Sequence, residues 1–412
     1  MAIDFQQIYI KIQEIGIGAR ERRERIEHLR KHARNLLEQN TNELDYLRSI
    51  VERAKEADPN IRCALPLNES LASHVPAPAS VKEATLIAAD GSQINPDRHA
   101  ALQFCLINVG AIVLRMQSGE SPEIHTNSEL LYGDELETKY GTMTEGIVAL
   151  KRDLRERTML DELSRGLKGS VVTFTDGPIE LWGAKDGEEA ESYYDALKSY
   201  QAVLSRLQSR DVITAGYVDK PAADLVVRLL ELAEVGQIDN LSHSLRELAE
   251  AGQIDNLSHL RDYHPLRGVS DRWLYGEKSN PLLGPGERSA VFAIQSKSEK
   301  YYKGVLGLHF FYLNVGTQGH PWPVRVEIPK WVADDPEKLD LLHAVLVDQC
   351  RTMGSKPYPY LLHRAHEVAV VKQEEKYQVE QMLMQELRRQ DEEVDEGSNK
   401  QSAKDLKGRT RM

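Results

Sequence analysis

Cysteine is nearly absent from this chain: Cys63, Cys105 and Cys350 are the only three, and no two of them stand in a CxxC pair. That excludes a disulfide framework and a thiolate zinc cluster, and it predicts a reducing, cytoplasmic setting. Long apolar runs are missing too. No stretch approaches the roughly 20 apolar residues that span a bilayer, so no membrane partner is expected. Residues 1–7 lack a basic segment leading into an apolar one, which predicts no signal peptide. Positive charge is in deficit, with 52 Lys and Arg against 64 Asp and Glu and a formal net charge of −12. This argues against wholesale coating by nucleic acid. A local basic channel stays open, because total charge does not set the field in one cleft.

What is there begins with two apolar runs, each closed by Asp-Gly. They are Ala84-Thr85-Leu86-Ile87-Ala88-Ala89-Asp90-Gly91-Ser92 and Ser170-Val171-Val172-Thr173-Phe174-Thr175-Asp176-Gly177-Pro178. Each reads as a buried strand that ends in a tight turn and delivers a carboxylate to its C-terminal end. Two such carboxylates brought together repel, and a divalent cation that favours hard oxygen ligands is the usual remedy. Asp-Gly is also an ordinary turn dipeptide, so a purely structural reading stands beside the metal one.

Proline is absent before Pro59, and residues 1–57 read as helical throughout. Ile26, Leu29, Ala33, Leu36, Leu37, Leu44, Leu47 and Val51 recur at helical spacing, with Gly16 and Gly18 as breaks. This is a helical extension, either packed on its own domain or serving as a dimerising or partner-binding arm. A proline-bearing linker is expected over 58–83, and a single large domain over 84–390. Within that domain strands are predicted at 84–90, 102–109, 111–116, 170–176 and 212–218, and later at 290–295, 305–313 and 324–328. Helices are predicted at 144–165, 188–209 and 335–350, the last with Pro336 in its first turn. The order is mixed α/β, and its strand–helix–strand steps favour parallel pairing. The segment Glu231–His243 recurs almost unchanged at Glu247–His259, Val235 becoming Ala251. Two copies are too few for a solenoid, and 231–259 is read as a duplicated helical insertion. Residues 391–412 are polar and read as a disordered tail.

A further group lies in Lys356-Pro357-Tyr358-Pro359-Tyr360-Leu361-Leu362-His363-Arg364-Ala365-His366-Glu367. Two prolines fix the entry and a helix starts near Tyr360, placing His363 and His366 near one face. An imidazole there either ligates a metal, assists a water nucleophile or is simply packed.

The ordered set of Asp-Gly-Ser, an acidic helix, Asp-Gly-Pro, a Gly-Tyr-Val strand and the late Tyr-Pro-Tyr…Arg-Ala-His-Glu resembles the NurA nuclease family over about residues 84–380. The resemblance implies a ribonuclease H-like mixed sheet flanked by helices and manganese-dependent hydrolysis of DNA phosphodiesters, with magnesium as the other candidate ion. It also implies single-strand endonuclease and 5′–3′ exonuclease activity in end resection, a homodimer, and a HerA-type hexameric DNA translocase as partner. Carried over residue by residue, it makes Asp90, Glu156, Asp176 and His366 metal ligands and adds Tyr358 and Lys220 to the catalytic set. Glu162 is the alternative to Glu156 on the acidic helix. Lys220 stands between Asp219 and Pro221, a departure from the family pattern.

Two-metal hydrolysis needs several acidic ligands around cations about 3.5–4 Å apart, and this set supplies them. Tyr358 would hydrogen-bond a phosphate oxygen, and Lys220 would counter charge developing on the phosphate. Arg152, Arg155, Arg157 and Arg364 either track a DNA backbone or form solvated helix faces. Two other functions stay open: a catalytically silent DNA-binding or translocase-docking subunit, and a different metal-dependent phosphohydrolase. The latter would favour an Asp-x-Asp arrangement that Ala89-Asp90-Gly91-Ser92 lacks.

Overall fold

The computed structural model describes residues 4–78, 83–241 and 264–390, with the backbone alone for 237–241. Two compact units divide the chain, Met1–Ala79 with Val218–Asp334, and Ser80–Tyr217 with Asp335–Met412. No helix among the described residues is long and apolar enough to cross a membrane.

The second unit carries the candidate site. Its elements in chain order are β1 (Thr85–Ile94), β2 (Phe104–Arg115), β3 (Glu123–Tyr132), α1 (Glu145–Leu163), β4 (Val171–Asp176), α2 (Ala190–Ser209), β5 (Ile213–Val218), α3 (Pro336–Thr352), α4 (Tyr360–Ala369) and α5 (Gln373–Arg389). The strands lie in the order β3-β2-β1-β4-β5. The first three form an antiparallel meander, and β4 and β5 then add in parallel to β1. A five-stranded sheet so ordered, with only β2 antiparallel to the rest, is the ribonuclease H-like arrangement. Helix α1 packs on β1 and β2 and lies beside α2, while α4 packs on the same two strands.

Leu86, Ile87, Ala88 and Ala89 are all fully buried, as a central strand covered on both sides requires. Two local expectations fail here. Asp90 and Gly91 do not turn the chain; the strand runs on to Ile94, and Asp90 pairs with Gly110 across the ladder. Nor does Gly110 divide two strands, since β2 is continuous from Phe104 to Arg115. A Cβ at Gly110 would lie 2.7 Å from Ala369 N and 2.8 Å from Ala365 O. Glycine is there because the backbone of α4 sits on the strand.

In the first unit Cys63–Pro66, Phe292–Gln295, Leu308–Asn314 and Pro323–Pro329 pair in that order as antiparallel strands of the sheet. Residues 58–83 are therefore more than a linker, because Cys63–Pro66 is a strand of this sheet. The N-terminal region forms three helices, Phe5–Ile17, Ala19–Gln39 and Leu44–Ala57, the first break falling at Gly18. Ala33, Leu36, Leu37, Leu47, Ile50, Val51 and Ala54 are buried, so the second and third helices belong to the unit's core. The first copy of the duplication is also core. Its residues 231–241 lie in the helix Leu225–Leu241, where Leu232 and Ala233 are buried and the Glu231 carboxylate accepts from Leu266 N at 3.0 Å. The second copy, at 247–259, and the expected tail at 391–412 lie outside the described residues.

Candidate active site

Two adjacent parallel strands bring the first pair of carboxylates together. Ala89 pairs with Thr175, so Asp90 and Asp176 are the next residues on neighbouring strands. After Asp176 the chain does turn, with Gly177 at φ +86° and its N–H donating to Tyr217 O at 2.8 Å. Gly216 makes room for that turn: a Cβ on it would stand 2.5 Å from Gly177 O.

Helix α1 supplies the next acids. Thr144 caps its start, Oγ1 accepting from Ile147 N at 3.3 Å. Asp153 and Glu156, three apart, then share one face of the helix. The face lies directly over β1, since a Cβ on Gly91 would meet Glu156 Oε1 at 2.6 Å. Side chains alternate along a strand, so Asp90 is free to meet the element on the other face. There His366 of α4 places Nδ1 2.7 Å from Asp90 Oδ2. The imidazole N–H donates to the carboxylate, which leaves Nε2 as the open ring nitrogen.

Asp90, Asp153, Glu156, Asp176, Glu180 and His366 line one cavity of about 520 Å³, together with Arg152. Burial, then the nearby charge of Asp153, holds the Glu156 carboxyl well above the ordinary carboxylate range; Asp90 adds to the effect and Arg152 opposes it. Asp153 is raised as well, again chiefly by burial and against Arg152. The Arg152 guanidinium lies 2.8 Å from Asp153 and 3.4 Å from Glu156. One cation thus answers two of the acids. Oxygen-rich donors with an imidazole at the rim suit a hard divalent ion. In the conformation described, however, no three His, Cys, Asp or Glu side chains among the described residues form a ready ligand group. The donor types fit a metal, while their closure on one would require side-chain rotation.

The cleft gathers Asp90, Glu156, Asp176 and His366 but not the whole expected set. Tyr358 is not among its lining residues and packs edge-on against Tyr217, ring centroids 5.5 Å apart. Lys220 is an exposed residue just beyond β5 in the other unit. Glu162 is exposed and lies off the cleft, so of the two glutamates weighed for α1 it is Glu156 that lines it. Asp153 and Glu180 were missed. Three-residue spacing from Glu156 was a signal for Asp153; Glu180 carried none beyond its nearness to the turn at Gly177.

Among the expected DNA-facing arginines, Arg157 is a correction. It is buried, and it donates to Thr175 Oγ1 at 2.7 Å, Thr214 Oγ1 at 3.0 Å and Tyr200 Oη at 3.2 Å. These acceptors are neutral, and they hold the guanidinium almost fully buried at the wall of the cleft, where its charge opposes the upward shifts of Asp153 and Glu156. Arg155 reaches β3, 2.9 Å from Asn127 and 3.3 Å from Glu129. Arg364 pairs with Glu367 on its own helix.

Among solved structures, the chain is similar to the NurA nuclease from Sulfolobus solfataricus at 12% identity, covering 93% of this chain and 98% of that one with a TM-score of 0.46. It is also similar to the catalytic domain of human endonuclease V, at 12% identity, 82% and 98% coverage and a TM-score of 0.31. The Ciona intestinalis endonuclease V, solved with a 24-mer DNA, matches at 11% identity, 81% and 96% coverage and a TM-score of 0.29. No curated protein matches the chain. The model of the NurA domain matches residues 84–371, which is most of the chain and takes in every element that lines the cleft. The chain belongs to the NurA domain family.

Proposed function

We propose that this protein is a metal-dependent DNA nuclease whose site is the acidic cleft between β1, β4, α1 and α4. The observation that carries the reading is the number of carboxylates drawn from separate elements into one cavity, with Glu156 buried and held above its ordinary range. Such a cluster is under-neutralised, which is the electrostatic signature of a site that takes up a cation. Asp90, Asp176 and Glu156 would hold the ion, with Asp153 beside them. Manganese or magnesium, when bound, supplies Lewis-acid stabilisation and an activated water. His366, oriented by Asp90 through Nδ1, has Nε2 available to take or return a proton at a phosphate oxygen or a water. Arg152 is placed to pair with a phosphate once the acids beside it are otherwise neutralised. The family resemblance adds Tyr358 and Lys220 as phosphate-facing residues.

The finer reading is cleavage of single strands internally and of ends from 5′ to 3′, in cytoplasmic DNA repair, as a homodimer with a HerA-type translocase. Its support is the family membership, together with the helix Phe5–Ile17, where Phe5, Ile8, Ile12 and Ile15 are exposed at coiled-coil spacing. Light scattering on the full chain and on one lacking residues 1–17 checks the assembly. A manganese titration on single-stranded and duplex DNA, with a phosphate monoester as control, checks the chemistry. Cleavage of DNA alone supports the nuclease; turnover of the monoester alone replaces it with a phosphatase. A second reading, a catalytically silent DNA-binding subunit, is favoured by one observation, the pairing of Arg152 with two of the acids. DNA binding without cleavage in either metal would establish it.

A further inference from the structure

A second cavity, of about 550 Å³, lies wholly within the first unit. That volume falls inside the range of about 300–1,000 Å³ usual for small-molecule sites. Its floor is apolar, drawn from Leu65 and Ala293 on two paired strands and from Leu308 and the buried Tyr302. Its remaining lining carries Lys55, Lys300, Lys303 and Lys330 against a single acid, Glu299. In a chain of net charge −12 this is a local reversal of sign.

Two of the lysines are answered. Lys55 pairs with Glu299 at 2.9 Å and Lys330 with Asp334 at 2.6 Å. Lys300 lies over the Tyr301 ring at 4.8 Å, and neither it nor Lys303 has a carboxylate partner among the described residues. The pocket also holds His309, which is buried and sets Nδ1 3.0 Å from Gly307 O. Donation to that carbonyl leaves Nε2 with its lone pair, and burial, reinforced by Lys330, keeps the ring less basic than an ordinary histidine. His309 therefore offers an acceptor, in contrast with the donors on the rim.

A simple anion has no use for an apolar floor, and an apolar ligand has no use for two unanswered ammonium groups. A ligand with a flat apolar body, an amine to donate and a phosphate at one end uses all three. We propose that this pocket binds a nucleoside phosphate, its base on the apolar floor and its phosphate at Lys300 and Lys303. The inference stands independently of the nuclease reading, since none of its residues lines the acidic cleft.

The test is titration calorimetry on the full chain in EDTA, which removes divalent ions from the acidic cleft. The probes are deoxyadenosine 5′-monophosphate, deoxyadenosine, inorganic phosphate and a 5′-phosphorylated oligodeoxynucleotide. The mononucleotide should bind more tightly than the nucleoside or the free phosphate. The Lys300→Glu/Lys303→Glu double variant, altered only at exposed positions, should melt as the wild type does. It should bind the mononucleotide about tenfold more weakly or worse, as reversing two charges beside a phosphate implies. If the oligonucleotide binds more tightly than the mononucleotide and loses that margin in the double variant, the phosphate belongs to a strand. If it binds no tighter, the pocket takes a free nucleotide. The proposal is overturned if the wild type does not bind the mononucleotide, if the double variant binds it equally, or if inorganic phosphate binds as well. A chain that fails to cleave DNA but passes this test loses the nuclease and keeps the pocket.

Discussion

His366 and Asp90 are 276 positions apart in sequence, and their side chains meet at 2.7 Å. The contact joins a helix to the middle of the central strand. It gives Asp90 two tasks: one oxygen holds the imidazole, and the other accepts from Gly91 N at 2.9 Å. A carboxylate so tethered is pre-set for its role, and its partner's tautomer is set with it.

Replacing Asp90 or Asp176 by Ala should lower DNA cleavage by about 10²-fold or more, with little loss of stability. Asp176 is exposed at the end of its strand, so its truncation leaves no cavity. Single-turnover cleavage in Mn²⁺, alongside circular dichroism melts, checks both. Wild-type rates from either folded variant would remove the acidic cleft from the mechanism.

Glu156→Gln should abolish cleavage while Glu162→Gln retains it. Stability offers an independent reading. Glu156 has a folded-state pKa raised above its ordinary 4.5. A proton held more tightly in the folded state favours folding below that ordinary value, and this advantage is lost as pH rises through the raised one. In EDTA, the wild type should therefore lose melting temperature over that window, Asp153 contributing in the same sense. Glu156→Gln should lose less and melt higher at neutral pH. Added Mn²⁺ should raise the wild type and close the gap. A glutamine variant that melts lower than wild type throughout, with or without metal, would contradict this account of the site's charge.

Gly110 and Gly91 face opposite sides of the sheet and should fail differently as alanines. A Cβ at Gly110 meets backbone of α4 at 2.7–2.9 Å, which cannot step aside without moving the helix. Gly110→Ala should cost about 1–3 kcal/mol or more by overpacking. At Gly91 the nearest atoms belong to the Glu156 and Arg152 side chains, at 2.6 and 2.7 Å. These can rotate, so Gly91→Ala should fold with a smaller loss and lose activity instead. Urea melts and cleavage rates together separate the two, and equal behaviour would undo the distinction.

Deleting residues 231–246 should leave a folded, active chain. The second copy then enters the place of the first, with Glu247, Leu248, Ala249 and Gly252 standing for Glu231, Leu232, Ala233 and Gly236. The only change within the repeat is Val235 to Ala. Leu232→Asp in the intact chain, by contrast, places a charge where the side chain is buried and should unfold the first unit. Loss of folding on deletion would mean that both copies are needed.

Much of the second unit was legible in the sequence wherever one force dominated. The apolar runs before Asp90 and Asp176 read as buried strands because nothing else in them competes. Pro336 and the pair Pro357 and Pro359 marked helix starts because proline fixes φ. What escaped was set by partners far away in sequence. Strand β3, with Glu123, His125, Asn127 and Glu129 along it, shows no apolar alternation because it is an exposed edge. Asp90-Gly91 looks like a turn until Gly110 is seen opposite it. Arg157 looks like a surface charge until Thr175, Thr214 and Tyr200 are seen around it. Within the cleft the strand-borne acids were legible from their ends of apolar runs, whereas Asp153 differed from the other acids of α1 only by its position on the helix.

The seating of α4 on Gly110 has a consequence for how the protein is made. The strands, α1 and the acids they carry leave the ribosome early, but the helix bearing His366 is among the last described elements to emerge. Until it docks, Asp90 has no imidazole beside it and the floor of β2 is bare. A nascent chain that has not yet extended past residue 369 thus carries the acids without their histidine.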